Sequence, residues 1–142
     1  MTWFVGAIAK ESKNNWDLCK EVGLFGISTA GRQHKVGRVK KGDKLVIWMS
    51  GQGWISYCEA TGDSRIPKDK SETPWPGSQY RFGLVVPIKI IHELTEPKFL
   101  NFVDFKQVET GMSQFSIRRG FCAIPDEVGL KILNVITDAS KL

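Results

Sequence analysis

The chain has 142 residues, of which 42% are hydrophobic and 25% charged, a composition typical of one globular domain with its own core. No run of about 18 apolar residues occurs, so we expect no membrane-spanning helix, and the apolar start lacks the basic residues of a signal peptide. The widely spaced Cys19, Cys58 and Cys122 fit neither a disulfide framework nor a zinc site. We therefore expect reduced thiols and a cytoplasmic location. We also expect no metal and no other cofactor.

The positive charge is unevenly distributed along the chain. The net charge is +5, and the segment 32–41 carries five basic residues and no acidic ones. The other 15 basic residues are balanced by 15 acidic residues, so this segment can account for the whole excess. A local basic cluster is typical of a surface that binds a polyanion, although a solvated loop without a partner has the same pattern. The candidate phosphate-binding residues are Arg32, Lys35, Arg38, Lys40 and Lys41.

The first part of the chain predicts a strand, a helix and a turn. Residues 2–10 are rich in apolar and β-prone side chains, which indicates a strand. Residues 14–23 fit a short helix, because its leading asparagines can cap it and Gly23 can end it. The following GLFGIS segment, 23–28, predicts a glycine-flanked apolar turn.

A β-hairpin is predicted next. Residues 43–50 are apolar on both faces, which is typical of a central strand covered on both sides. The GQG segment at 51–53 predicts a tight turn, and residues 54–62 predict the partner strand.

The second half begins with a long polar segment. Residues 63–79 are proline-rich and aperiodic, which predicts a long loop of the kind that is either functional or disordered. Residues 80–94 form the longest strand pattern, in which Pro87 implies an edge position or a bulge. The segment 96–110 is mixed, with a helical turn and a short strand, and 125–140 predicts a final helix. Because strands outnumber helices without alternating with them, we predict a single α+β domain over 1–142 with a curved or barrel-like sheet.

Catalytic motifs are weak in this sequence. The SGQG segment lacks the rest of a phosphate-binding loop, no GxSxG elbow occurs, and no nucleophile signature surrounds a cysteine. We therefore predict a binding protein without catalytic residues rather than an enzyme, while a catalytic pair assembled only in the folded chain stays open.

Tryptophan is the stronger signal. Trp3 and Trp48 lie inside strand patterns and are predicted core residues, whereas Trp75 lies in the polar loop between Pro74 and Pro76. We interpret Trp75 as an exposed stacking surface that the prolines preorganise for a flat ligand such as a nucleobase. The alternative is that Trp75 folds onto the barrel and plugs it.

Several segments occur in a characteristic order. They are WFV, NNW at the start of the helix, GLFGIS, KKGDKLVIWMSG, WISYCEATGD, YRFGLVVPIKII and MSQFSIRRGFCAIPDEVGLKIL. In this order and spacing the chain resembles an EVE domain of the PUA-like superfamily, which is related to YTH domains. The resemblance implies a curved, nearly closed mixed sheet of five or six strands with flanking helices, and a pocket whose aromatic cage holds one flipped, modified base.

The resemblance also implies which residues form that pocket. Phe25 stands where relatives commonly place a tryptophan, which makes this wall smaller. Trp75 and Tyr80 match further aromatic positions, one in the loop before the long strand and one at the strand start. The other implied positions are the end of the central hairpin strand, Ser50 and Gly51, and the mouth of the pocket, Asn15 and Trp16.

The sequence thus favours a module that binds DNA or RNA carrying a modified base, with the basic segment on the phosphates. Two alternatives remain. One is a pocket protein for a nucleoside or nucleotide, and the other is a hydrolase similar to ASCH proteins.

Overall fold

The computed structural model describes residues 1–9, 14–29 and 35–140, which form eight strands and four helices. The strands are β1 (Trp3–Ile8), β2 (Leu24–Ile27), β3 (Lys44–Met49), β4 (Gly53–Ala60), β5 (Leu84–Lys98), β6 (Phe102–Val103), β7 (Lys106–Gln107) and β8 (Phe121–Ile124). The helices are α1 (Asn15–Val22), α2 (Ser78–Arg81), α3 (Gln114–Arg118) and α4 (Asp126–Ala139). One turn of 3-10 helix, Lys70–Glu72, lies in the long loop between β4 and β5.

Six of the strands form one curved sheet in the order β2-β5-β4-β3-β1-β8. β1 and β3 pair in parallel, whereas the other neighbouring strands are antiparallel. β6 and β7 form a separate two-stranded hairpin. The sheet curls into a half-barrel flanked by helices, which confirms the predicted α+β class with a curved mixed sheet.

The hairpin predicted at 43–62 is confirmed. β3 lies between β4 and β1, and its residues are buried except at the two ends. Helix α1 is also close to its predicted bounds. Gly23 ends it in the left-handed conformation (φ 71°) and donates its N–H to the Cys19 carbonyl at 2.8 Å. Asn14 stands at the N-cap position without a capping hydrogen bond from its side chain.

Two local predictions are wrong. Residues 24–27 form strand β2, which pairs with β5, rather than a free turn. The long strand begins at Leu84 instead of Tyr80, because residues 78–81 form the short helix α2 after a left-handed Gly77 (φ 92°). The sequence patterns also missed α3 and β8, and the mixed segment 96–110 contains the end of β5, β6 and β7.

Helix α4 packs against one face of the sheet. Ile132 and Ile136 are fully buried there, and the helix itself lies close to its predicted bounds of 125–140. Gly129 lies directly on the indole of Trp3, since a Cβ built on this glycine would come within 2.3 Å of that ring. In the part of the chain that the structure describes, no helix combines the length and apolar character needed to cross a bilayer.

Candidate functional site

A pocket of about 410 Å³ opens beside the carboxyl end of β1. Its volume lies within the range of about 300–1,000 Å³ typical of sites for small ligands. Six chain segments meet around it: the end of β1, helix α1, strand β2 with Ser28, the β3–β4 turn at Ser50, the loop and helix before β5, and the α3–β8 connection. Four aromatic residues contribute to its lining: Phe25, Trp75, Phe82 and Phe121.

Two glycines allow the aromatic walls to pack closely on the sheet. A Cβ on Gly6 would approach the Phe25 ring to 2.5 Å, and a Cβ on Gly26 would approach the Trp75 ring to 2.7 Å. Trp75 and Phe82 lie with their ring centroids 5.1 Å apart and their planes inclined at 60°. Glycine at positions 6 and 26 therefore gives the rings the space in which they form the pocket wall.

Trp75 is buried, which corrects the interpretation of this residue as an exposed stacking surface. Only 3% of the residue is accessible, and its indole N–H donates to the Asn15 carbonyl at 3.2 Å. The packing of Trp75 is instead that of the second interpretation given above, in which the side chain folds onto the barrel. The same side chain nevertheless lines the pocket. Trp75 is therefore both a core residue and a wall of the cavity, and the loop that carries it forms the pocket's side.

Three polar side chains of the lining have unused hydrogen-bonding capacity. No hydrogen bond joins the side chains of Asn15, Ser28 or Ser50 to another described residue. In the described ranges, every fully buried side-chain nitrogen or oxygen has a partner, so the polar atoms of these three residues have access to solvent. An amide and two hydroxyls can both donate and accept hydrogen bonds, which suits the mixed polar edge of a nucleobase.

Arginine supplies the charge at this pocket. Arg81, Arg118 and Arg119 line it, and the described lining contains no aspartate or glutamate. The Arg81 guanidinium lies 5.1 Å from the centroid of the Phe82 ring. Sequence reasoning missed these arginines, although the adjacent pair in SIRRG was a visible signal. A cationic lining next to aromatic rings favours a ligand that carries phosphate.

The predicted basic segment does not contribute to the pocket lining where it is described. Arg32 lies outside the described residues, and Lys35, Arg38, Lys40 and Lys41 line no part of this cavity. The Lys40 ammonium lies 3.8 Å from the carboxylate of Asp63, which also accepts the Lys41 main-chain N–H. The role of this segment in phosphate binding stays a prediction.

The predicted pocket residues divide into two groups. Asn15, Phe25, Ser50 and Trp75 meet at the cavity, although Asn15 and Trp75 are 60 positions apart in the sequence. Trp16, Gly51 and Tyr80 do not line it. The Trp16 indole donates to Glu93 at 2.8 Å, Gly51 belongs to the β3–β4 turn, and Tyr80 is 82% exposed on α2.

Cys19 is the thiol in the pocket lining. Burial raises the pKa of Cys19 to about 12, so the thiol stays protonated at neutral pH. The described lining contains no histidine or carboxylate that could act as a general base. Among the described residues, no group of three or more His, Cys, Asp or Glu side chains could hold a metal ion.

The loop that carries Trp75 is held by an ion pair. The Arg65 guanidinium donates two hydrogen bonds to the Glu72 carboxylate, at 2.8 and 2.7 Å, and the Lys68 main-chain N–H donates a third at 2.7 Å. Arg65 also exchanges two main-chain hydrogen bonds with Val85 of β5. These contacts, led by the hydrogen bonds from Arg65, lower the pKa of Glu72 to about 2.

This ion pair predicts a specific pH dependence of stability. Because the folded pKa of Glu72 lies below the ordinary value of 4.5, its contribution is complete above that value and is lost as the pH falls towards 2. We expect Glu72→Gln to lower the free energy of unfolding at pH 7 and to differ progressively less from the parent protein in acid. Denaturant titrations between pH 7 and pH 2 measure this difference.

The matched control is Glu127→Gln, which removes a carboxylate that pairs with Lys131 on the exposed side of α4. Exposed ion pairs of this kind contribute little to stability, so this variant should follow the parent protein across the pH range. A Glu72→Gln difference that is unchanged from pH 7 to pH 2 would contradict the assigned role of Glu72.

Solved structures with a similar fold were found by comparison with known proteins. No family model matches the sequence, and no curated protein matches it significantly. Among solved structures, a hypothetical protein from Leishmania major is 13% identical with a TM-score of 0.61, and the match covers 97% of this chain and 96% of that one. The Pho92 YTH domain in complex with m6A is 16% identical with a TM-score of 0.60, covering 95% and 82%. The Mmi1 YTH domain in complex with RNA is 11% identical with a TM-score of 0.59, covering 97% and 79%. At these identities the likeness establishes the fold, which is YTH-like and PUA-like.

Proposed function

We propose that this protein is a module that binds single-stranded RNA and takes one base into the pocket beside β1. The observation that carries the proposal is the composition of the pocket: aromatic walls, polar side chains with open hydrogen-bonding capacity, and three arginines without an acidic residue. A base that leaves its stack loses stacking energy, and aromatic walls restore part of it. The arginines then hold the flanking phosphates.

RNA is the preferred ligand in this proposal. Two of the similar structures are described as complexes with RNA or with m6A, and both share the fold over nearly the whole chain. We infer further that the bound base carries a modification and that the chain is an EVE-type member of the PUA-like folds. The motifs that resemble EVE domains and the pocket of about 410 Å³ support this finer assignment.

Binding rather than hydrolysis fits the chemistry of the described lining. A nucleophilic mechanism needs an ionised or base-activated group, whereas the Cys19 thiol has a raised pKa and no neighbouring general base in the lining. We therefore propose that the protein binds its base and releases it chemically unchanged.

The arginine side chains give the first test of this function. If Arg81 and Arg118 contact phosphates, then Arg81→Gln and Arg118→Gln should each weaken binding of a single-stranded RNA at low salt. The slope of log affinity against log salt should become shallower by about 0.7 for each lost phosphate contact. Fluorescence anisotropy with a labelled oligonucleotide, measured at several salt concentrations, provides these slopes.

Two further variants complete the comparison. Lys131→Gln removes a positive charge from α4, away from the pocket lining, and should leave the slope unchanged. Lys41→Gln tests whether the basic segment 32–41 contacts phosphates, as the sequence predicts. The proposed function is wrong if the parent protein binds no single-stranded oligonucleotide. The assignment of the pocket arginines fails if Arg81→Gln and Arg118→Gln leave the slope unchanged.

A further inference from the structure

Two exposed phenylalanines are stacked on each other outside the pocket. Phe105, between β6 and β7, is 56% exposed, and Phe115 on α3 is 53% exposed. Their ring centroids lie 5.2 Å apart and their planes are inclined at 28°. Aromatic side chains of this size are usually buried in a monomeric protein, so an exposed pair of stacked rings indicates a contact surface.

The backbone holds Phe105 in an unfavourable conformation. Asp104 and Phe105 form the two-residue connection of the β6–β7 hairpin, and both have positive φ, 50° and 67°. Glycine or asparagine is favoured in such a turn, since a bulky side chain is strained in the left-handed region. Phe105 is nevertheless fixed against α3, because its carbonyl accepts the Gln114 N–H at 2.8 Å. The turn thus presents an aromatic ring at a position where glycine would be less strained.

Arg118 connects this aromatic pair to the pocket. Its guanidinium lies 6.0 Å from the centroid of the Phe115 ring, and the same residue lines the cavity. The surface from Phe105 through Phe115 to Arg118 is therefore continuous with the proposed base pocket. Lys106 adds a positive charge on the hairpin, while Asp104 adds a negative one at its tip.

Resting on the function proposed above, we propose that Phe105 and Phe115 form a second stacking site, which binds the base next to the one in the pocket. A single RNA strand has a flat aromatic face at each base and a phosphate between neighbouring bases. The aromatic pair matches the base, and Arg118 lies where it can contact the intervening phosphate. The paired rings thereby convert a pocket for one nucleotide into a site that reads two adjacent nucleotides.

Continuity with the pocket favours a nucleic acid strand over a protein partner at this surface. An interface with a protein partner usually has an apolar core surrounded by a polar rim. This aromatic pair instead lies at the edge of the arginine-lined cavity. An RNA strand that places one base in the pocket must continue along the protein surface on either side of it. On the side of α3, aromatic rings and an arginine are available to the next nucleotide.

The test uses Phe115→Ala and Phe105→Gly in the full chain. Phe105→Gly removes the ring and relieves the strained backbone, so the hairpin is retained. The probes are a five-nucleotide single-stranded RNA, the same RNA with an abasic ribose at each position in turn, and the free nucleotide of the base that binds best. Val103→Ala, another exposed apolar residue of the hairpin, is the control.

We expect both phenylalanine variants to bind the intact RNA about tenfold to hundredfold more weakly and the free nucleotide as tightly as the parent protein. With the neighbouring base removed from the RNA, parent and variants should bind alike. Val103→Ala should bind like the parent throughout. Unchanged RNA affinity in both phenylalanine variants would overturn the second stacking site while leaving the pocket function intact. A parent protein that binds none of the probes would overturn both.

Discussion

Trp75→Ala is expected to lower the free energy of unfolding by about 3–5 kcal/mol and to remove base binding. Trp75 is 3% exposed, packs on Gly26 and Phe82, and donates a hydrogen bond to the Asn15 carbonyl. The substitution leaves a cavity, removes the hydrogen bond from the indole to the Asn15 carbonyl, and deprives the pocket of one of its walls. Denaturant unfolding and RNA titration at low temperature measure the two effects.

Trp48→Ala separates stability from binding. Trp48 is also 3% exposed, but it packs on Trp54, with ring centroids 4.9 Å apart, and does not line the pocket. We expect a similar loss of about 3–5 kcal/mol, with RNA affinity retained wherever the variant is folded. Trp75→Phe keeps an aromatic wall and should retain part of the binding. If folded Trp75→Ala binds RNA like the parent protein, the indole is only a core residue.

Ser50→Phe is expected to abolish base binding while the fold is retained. The Ser50 main-chain N–H is fixed to the Ile8 carbonyl at 2.9 Å, and its side chain lines the cavity without a hydrogen bond to another described residue. A phenyl ring at this position would occupy space within the pocket of about 410 Å³ and compete with a base for the aromatic walls. Because the ring enters open space, it displaces no packed core atoms.

Gln52→Phe is the matched control for that substitution. Gln52 belongs to the same β3–β4 turn and lies outside the pocket lining. The same ring placed there should change neither the melting temperature nor the RNA affinity appreciably. Loss of binding in Gln52→Phe as well would show that the turn, rather than the occupied cavity, causes the effect.

The parts of the fold that sequence patterns predicted are those that local contacts determine. The β3–β4 hairpin depends on two apolar runs joined by a glycine turn, and Gly23 ends α1 through its own left-handed conformation. Tyr80 and Phe82 continue the alternating pattern of β5 backwards, yet a helical turn forms there instead. Alternation of apolar residues therefore did not locate the strand start, because the turn at Gly77 redirects the chain.

The site was harder to predict because it depends on contacts between distant segments. Charge counting selected the segment 32–41, but Asp63 from another loop lies against Lys40 and accepts a hydrogen bond from the Lys41 main chain. Arg118 and Arg119 reach the pocket through α3, which no sequence pattern indicated. Trp75 was singled out by its prolines, and only the folded loop shows that the ring is buried as well as pocket-lining. The resemblance supplied Phe25, which lines the pocket, but it also supplied Tyr80, which is exposed outside the pocket, and it did not indicate Phe82 or Phe121.

The central claim is that one base of an RNA strand enters this pocket, and a paired titration tests it most directly. Calorimetry of the parent protein and Ser50→Phe would use a short single-stranded RNA with one modified base and the same RNA with an abasic ribose at that position. We predict that removal of the base weakens binding to the parent protein about tenfold to hundredfold and has no effect on the already weak binding to Ser50→Phe. Equal affinity of the parent protein for the two RNAs, or full affinity of Ser50→Phe for the modified one, would contradict the claim.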